Sequence, residues 1–283
     1  MVLRIQVGDQ PMPARGESMI ERVVRVLEAF KDAGSSLTAS EIARQADIPI
    51  PSAHRIVTEL VGLGILDRDA DRRVRIGMRL WEIVTRSSGV LTLREIALPY
   101  MEDLRDVVNA PTLLSILDRN DVINVDTLSS RQPSATNVTQ PGVRLPALAS
   151  SPGMVLVAFA PPEVRERILE EAKVTRFTEH TVVDRTELAR IVYETRRVGY
   201  VVARQWISPD ATGIAVPIFS DDGTALAALS VTTPFGVGVP SDLLPALHTT
   251  ARGISRAFLA GSGHTNPRLT LLMQQIRHAT DPT

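Results

Sequence analysis

The chain of 283 residues is long enough for two domains, and its 44% hydrophobic and 22% charged residues are typical of a folded soluble protein. It contains no cysteine, which excludes disulfides, thiolate zinc sites and cysteine nucleophiles and fits a cytoplasmic protein. The formal net charge of −1 shows no overall positive excess of the kind that nucleic-acid-binding proteins often have. The sequence has neither the apolar run of a signal peptide nor a membrane span, so we expect no membrane partner, and residues 1–17 are expected to be a flexible tail.

Residues 18–77 contain three predicted helices and a small hairpin. Between residues 18 and 33, apolar residues recur at helical spacing, which predicts one helix with a buried face. The sequence TASE, with Thr38 and Glu41 at its ends, has the form of a capping box and predicts that a short second helix begins there. Pro51 fits the first turn of a third helix, which we predict over about Pro51–Leu63. Two short strands around a turn follow, at Ile65–Asp67 and Val74–Ile76.

Three helices followed by a hairpin are the pattern of a winged helix-turn-helix domain, which we expect over residues 18–77. In that fold the third helix enters the major groove of DNA, and we expect the hairpin, or wing, to hold phosphates. We expect DNA contacts from three places: the free side of the third helix, the wing and the start of the second helix. The residues are Ser52, His54, Arg55 and Thr58 on the third helix, Arg72, Arg73 and Arg75 in the wing, and Thr38 before the second helix. A three-helix unit with a hairpin could also be a plain packing module or a protein-interaction domain, and the nearly balanced acidic and basic residues here do not decide between these alternatives and DNA binding.

The rest of the chain is predicted to contain a helical linker, a mixed domain and a tail. Residues 78–108 contain two helical patterns, which we expect to connect the head to a sensor domain. From 109 to 260, strands alternate with amphipathic helices, and the closing helix is predicted to be capped by Ser241. This order predicts an α+β domain in which helices flank one antiparallel sheet. Residues 261–283 form a predicted C-terminal tail with one short helix over Leu269–Ile276.

Several stretches of this sequence match the pattern of a known family. LTASEIARQADIPIPSAHRIVTELVGLGILDRD, followed by RVRIGMRL, resembles the N-terminal domain of the IclR-type bacterial transcriptional regulators. PALASSPGMVLVAF is similar to the family's stretch leading into a Gly-Lys-Ala helix, with Met154 in place of the lysine. RRVGYVVARQW and GIAVPIFSDDGTALAALSVTTP are similar to its signature near the effector site. The resemblance covers about residues 18–260, and it departs at Ile50, where the family often has a lysine.

The resemblance implies a GAF-like C-terminal domain that binds a small effector. It implies that seven residues bound the effector pocket: Ser151, Pro152, Gly153, Ala203, Gly213, Ser230 and Thr232. Free backbone N–H groups at a helix start favour an anion, so a carboxylate is expected. Ala203 and Gly213 stand where some members carry an acidic residue and a cysteine, and they leave volume. We therefore expect an effector larger and more apolar than a two-carbon acid, such as an aromatic or branched organic acid.

The function expected from these patterns is regulation and not catalysis. The five histidines fall in unrelated segments without metal-ligand spacing, and no catalytic motif is present, so we expect no enzyme, no cofactor and no metal. We expect a cytoplasmic regulator that binds double-stranded operator DNA as a homodimer or a dimer of dimers, with an affinity that a ligand shifts. Repression and activation both remain open. The alternative is a ligand-binding or protein-interaction module whose helix-turn-helix head does not bind DNA.

Overall fold

The computed structural model describes residues 17–31, 36–130, 140–238 and 240–262. Between Ser87 and Ser88 the chain divides into two compact units. The predicted tails and the helix predicted over Leu269–Ile276 lie outside the described residues, apart from Glu17 and the last two residues of the final helix.

The N-terminal unit combines helices with a two-stranded hairpin. Its elements are α1 (Met19–Glu28), α2 (Ala39–Gln45), α3 (Ile50–Gly62), β1 (Leu66–Arg68), β2 (Val74–Ile76) and α4 (Met78–Ser87). The predicted capping box is present, because Thr38 and Glu41 satisfy each other's backbone N–H groups at the start of α2. Leu37 pairs with Val74, which ties the segment before α2 to the hairpin. The first three helices and the hairpin are thus a winged helix-turn-helix, as predicted.

One apolar core holds this unit together. Buried side chains from each of α1, α2, α3 and the hairpin contribute to it, including Val26, Ile42, Ile56, Leu66 and Val74. Because α3 buries its apolar residues against this core, its polar residues remain on the opposite side, which is free within the unit.

The C-terminal unit is an α+β domain with one six-stranded sheet. Its helices are α5 (Gly89–Val108), α6 (Ser151–Ala158), α7 (Pro162–Glu171), α8 (Arg185–Val198) and α9 (Pro240–Ser262). Its strands are β3 (Thr112–Asp118), β4 (Asp121–Leu128), β5 (Arg144–Pro146), β6 (Val201–Arg204), β7 (Ala211–Phe219) and β8 (Ala225–Pro234). The strand order is β5-β4-β3-β8-β7-β6, and every neighbouring pair is antiparallel.

Helices cover both faces of the sheet. On one face, α5 and α9 pack together over alternate residues of β7 and β8, and Met101, Leu104, Ile254 and Phe258 are fully buried there. On the other face, α6 packs on the sheet and contacts α8. The start of α6 lies over β7, where a Cβ added to Gly213 would meet the Ser151 hydroxyl. This second face carries the cavity described below.

The structure differs from the sequence-based expectations at several elements. The predicted linker, 78–108, comprises two helices that belong to different units, because α5 contributes buried residues to the C-terminal core. Ser241, the predicted cap of the last helix, lies inside its first turn because the helix already begins at Pro240. Strand β5 was not predicted. Within the described ranges, no helix is both long and apolar enough to span a membrane.

Candidate functional site

The free side of α3 carries most of the residues predicted to read DNA. His54, Arg55 and Thr58 are exposed, and Ser52 is half-buried. The Thr58 hydroxyl donates a hydrogen bond to the His54 carbonyl at 2.8 Å, so it can offer an acceptor to a partner. The Arg55 Nη2 lies 4.0 Å from the Met19 sulfur, a weak contact that leaves the guanidinium accessible. These side chains form one polar surface on the helix that a winged helix-turn-helix inserts into the major groove.

The wing presents two of its three predicted arginines to solvent. Arg72 is exposed at the tip with a φ of 60°, a left-handed conformation stabilised by the turn that Asp69 organises. Within the described ranges its guanidinium has no hydrogen bond or ion pair. Arg75 is also exposed, and its Nε lies 3.9 Å from an Asp67 carboxylate oxygen. Both guanidinium groups can therefore reach a phosphate.

Arg73 and Thr38 make hydrogen bonds to other residues of the N-terminal unit. The Arg73 guanidinium donates to the hydroxyl and the carbonyl of Ser36, each at 2.9 Å, and lies 3.5 Å from the Glu41 carboxylate. The Thr38 hydroxyl accepts from the Glu41 N–H and donates to its carboxylate. Hydrogen bonds from Thr38 hold the pKa of Glu41 below its ordinary value. The DNA contacts predicted for Arg73 and Thr38 must compete with these internal contacts.

In the C-terminal unit, one cavity brings together six of the seven predicted effector residues. They are Ser151, Pro152, Ala203, Gly213, Ser230 and Thr232. The cavity has a volume of about 80 Å³, counted as the space that the centres of water molecules can occupy. On the same measure one water needs roughly 10–15 Å³, so the cavity has room for several waters. The cavity can therefore hold a small organic molecule.

The floor of the cavity is the sheet and its roof begins with α6. Ala203 pairs with Gly213 across β6 and β7, and Gly213 pairs with Thr232 across β7 and β8. Ser230 lies two residues earlier on β8, next to Leu113 of β3. Small and polar residues therefore lie side by side on the floor, below the first residues of α6.

Gly153 does not line the cavity, contrary to the prediction. A Cβ at this position would clash with the carbonyl oxygen of Ala147, in the short 3-10 turn (Ala147–Ala149) before α6. Its N–H donates to the Ser150 hydroxyl at 3.3 Å. Gly153 is thus needed for the close packing of the helix start on the preceding turn.

The helix start offers fewer free N–H groups than the sequence suggested. Pro152 has no N–H, and the Gly153 N–H is bonded to the cap residue Ser150. Ser151 therefore supplies the N–H group that remains free in the first turn. An anion at this helix start needs additional donors.

Trp206 is the cavity residue that sequence reasoning missed most clearly. Strand alternation places Gln205, and not Trp206, on the face of Ala203. However, Gln205 has a φ of 61°, which ends β6 and redirects the chain. The Thr181 hydroxyl then donates to the Trp206 carbonyl at 2.6 Å and fixes the bend, so that Trp206 forms a wall of the cavity and is 8% exposed.

The other missed lining residues are aliphatic or carry hydroxyls: Leu113, Leu145, Ser150, Ile207, Ser208 and Ala211. Charged side chains are absent from the lining within the part of the chain that the structure describes. A carboxylate in this cavity would thus be held by hydroxyl and N–H donors rather than by an ion pair. The described residues also contain no cluster of His, Asp or Glu that could hold a metal ion.

Comparison with known proteins covers both units. The family model described as the bacterial transcriptional regulator IclR C-terminal matches residues 86–256, and the IclR helix-turn-helix domain matches residues 19–70. The regulator XynR of Escherichia coli K12 is 25% identical over 76% of this chain and 85% of its own length.

Two solved structures are similar to the chain over most of its length. An IclR homologue from Microbacterium hydrocarbonoxydans, complexed with 4-hydroxybenzoate, is 43% identical, with a TM-score of 0.79 over 87% of this chain and 100% of its own. A putative transcriptional regulator from Rhodococcus sp. RHA1 is 30% identical, with a TM-score of 0.72 over 86% and 98%.

These findings decide between the functions that the sequence left open. The homologues are transcriptional regulators and not enzymes, and the family match includes the helix-turn-helix itself. The chain therefore belongs to the IclR family of bacterial transcriptional regulators, with a helix-turn-helix DNA-binding domain and an effector-binding C-terminal domain.

Proposed function

We propose that an aromatic organic acid binds in the cavity of the C-terminal domain and shifts the affinity of this regulator for its operator. One observation carries this proposal. Three hydroxyls, those of Ser151, Ser230 and Thr232, line an uncharged cavity and have no hydrogen-bond partner in the described structure.

Unpaired hydroxyls that are taken out of bulk water are costly unless something bonds to them. Ser151 and Ser230 are only 5% and 3% exposed, so the partners available to their hydroxyls are water or a ligand inside the cavity. A ligand with several oxygen acceptors, such as a carboxylate, can satisfy these groups together. This favours an organic acid over a purely apolar ligand.

The walls of the cavity favour a ring over a two-carbon acid. Trp206, Leu113 and Ile207 provide aromatic and aliphatic surface, and an aromatic ring packs on such surface with a gain that a small polar acid cannot obtain. The homologue from Microbacterium hydrocarbonoxydans was solved with 4-hydroxybenzoate, a ligand of this class. By contrast, the expected free volume over Gly213 does not support the proposal, because the Ser151 hydroxyl fills that space.

At the other end of the chain, the head binds operator DNA in the cytoplasm as a dimer. Ser52, His54, Arg55 and Thr58 contact bases, and Arg72 and Arg75 contact phosphates. The exposure of these residues on α3 and the wing, apart from the half-buried Ser52, supports these roles. The ligand acts by binding one geometry of the dimer more tightly than the other, which changes the fraction able to bind DNA.

The test combines calorimetry with a mobility-shift assay on the chain's own upstream DNA. Glyoxylate, pyruvate, 4-hydroxybenzoate and other aromatic acids are titrated separately into the full-length protein. We expect an aromatic acid to bind most tightly and to change operator affinity at saturation. The proposal is wrong if the smallest acids bind best, or if no acid that binds alters the mobility shift.

A further inference from the structure

We infer that Ile50, the first residue of α3, reads a thymine of the operator by packing its side chain on the 5-methyl group of that base. The inference rests on the proposed binding of operator DNA by α3, and it adds a residue that sets sequence specificity. None of the base contacts proposed above is made by an aliphatic side chain.

Ile50 is an aliphatic residue that the N-terminal unit leaves in water. Its side chain is 54% exposed, whereas Ile56 and Val57 of the same helix are buried. Among the described residues, those that form the apolar core of this unit do not include Ile50. A single exposed isoleucine is common on protein surfaces, so its position on the helix decides what it can contact.

Ile50 lies in the same row of α3 as two residues proposed to contact bases. Residues four apart follow one another along one side of a helix, so Ile50, His54 and Thr58 form one row, and all three are exposed. Helical side chains also lean toward the N-terminus, which places the Ile50 side chain at the front of this row. In a helix-turn-helix, the N-terminal residues of the recognition helix are the ones that contact base edges.

The start of α3 suits an apolar group better than a phosphate. Pro49 is the cap residue and Pro51 lies in the first turn, so two backbone N–H groups that could bind an anion are missing. Both prolines are exposed, and with Ile50 they make three consecutive apolar residues at the end of the helix. Because each ring fixes its own φ, the backbone that carries Ile50 is restricted before DNA binds, which lowers the entropy cost of the contact.

Thymine is the base that such a side chain can recognise. Its 5-methyl group is the apolar group that the four bases present in the major groove, and guanine, adenine and cytosine lack it. Burial of this methyl group against Ile50 removes apolar surface from water only when the base is thymine. Each contact should be worth roughly fourfold in affinity, which corresponds to the transfer of one methyl-sized group out of water.

The test is a double-mutant cycle between protein and DNA, measured by mobility shift with the full chain. Footprinting locates the operator in the chain's own upstream DNA, and each thymine is replaced in turn by deoxyuridine, which lacks only the methyl group. Equivalent positions of the two half-sites are replaced together.

We expect one thymine per half-site whose replacement lowers wild-type affinity by roughly 4- to 16-fold, for one or two contacts of about fourfold each. Ile50→Ala should lower the affinity for the thymine operator by a similar factor. The same variant should bind the thymine and the deoxyuridine operators equally well, because the partner of the methyl group is already absent.

Leu63→Ala is the matched control, since Leu63 is also an exposed aliphatic residue, at 56%, but lies at the opposite end of α3. This control should respond to deoxyuridine as the wild type does. Thermal unfolding checks the fold of each variant, and Ile50→Ser repeats the cycle if Ile50→Ala fails to fold.

Two results would overturn the inference: no thymine of the operator responds to replacement, or the Ile50 variant loses as much affinity on replacement as the wild type. If the wild type binds none of its upstream DNA, the proposed function fails as well.

Discussion

Arg55 is the exposed residue of α3 best suited to read a base, because a guanidinium can make a bidentate contact to guanine. We expect Arg55→Ala to weaken operator binding by about 1–3 kcal/mol and to relax base preference at one position. Binding isotherms on the operator and on single-base variants measure both effects. The matched control is Arg197→Ala, which removes an exposed arginine of α8. An unchanged isotherm for a folded Arg55→Ala protein would exclude this contact.

Arg72 and Arg73 are neighbours in sequence but should behave differently. Arg72→Gln should lower affinity for all DNA sequences alike and reduce the salt slope by about one unit, because a phosphate contact releases a counterion. Arg73→Gln should instead reduce the free energy of unfolding by about 1 kcal/mol, because it removes the hydrogen bonds to Ser36.

Salt-dependent DNA titrations and urea unfolding of both variants separate these two effects. If the salt slope of Arg72→Gln overlays that of the wild type, Arg72 is a solvated turn residue. If Arg73→Gln is fully stable and its salt slope falls, the internal contacts of Arg73 do not persist in solution.

Gly213 illustrates a feature of the site that could not be predicted from the sequence, namely which distant residue packs against it. The resemblance located the glycine in the cavity, but its lack of a side chain suggested free volume for a ligand. In the structure, Ser151 arrives from a distant segment and occupies that space. Neither periodicity nor composition reports such an approach between two elements. The same holds for Trp206, whose position depends on the left-handed Gln205.

Among the elements, the helices and the wing were predictable because their signals are local. Capping residues, turns and apolar spacing all lie within a few residues of each other, as at Thr38 and Glu41. Strand β5 and the 3-10 turn before α6 were missed because three-residue elements carry too few positions for a period. Helix α5 looked like a linker, since its amphipathic pattern does not say which unit covers the apolar face.

The junction between the 3-10 turn and α6 should be intolerant of a single methyl group. Gly153→Ala would place a Cβ within 3 Å of three backbone atoms of Ala147, none of which can move alone. We expect a loss of about 3 kcal/mol in unfolding free energy, at the upper end for overpacking. Urea unfolding measures it, with Gly62→Ala as the control at an open position. If Gly153→Ala lowers the free energy of unfolding no more than Gly62→Ala does, the start of α6 can shift to make room for the methyl group.

At the scale of the whole molecule, the exposed apolar residues of α1 and α4 predict self-association. Ile20 and Trp81 are 75% and 59% exposed, and Val24 and Met78 are also exposed. Single apolar residues on a surface are common, but two such helices offer area for a two-fold contact. We expect Trp81→Glu to raise the dimer dissociation constant at least tenfold, about 1.4 kcal/mol.

Sedimentation velocity over a concentration series measures the association. The control is Val237→Glu, which charges an exposed apolar residue in the turn after β8. A wild-type protein that is monomeric at micromolar concentration, yet binds its operator normally, would contradict the dimer.

The two tryptophans of the chain are divided between its two units, and their surroundings are opposite. Trp81 is largely exposed on α4, whereas Trp206 is buried in the cavity wall. An indole in water emits at longer wavelengths than one in an apolar environment, so each unit carries its own optical reporter. Quenching of the short-wavelength emission reports events in the cavity, and a blue shift of the long-wavelength emission reports the covering of α4. Ligand binding and self-association should therefore change different parts of the emission spectrum of the unaltered protein.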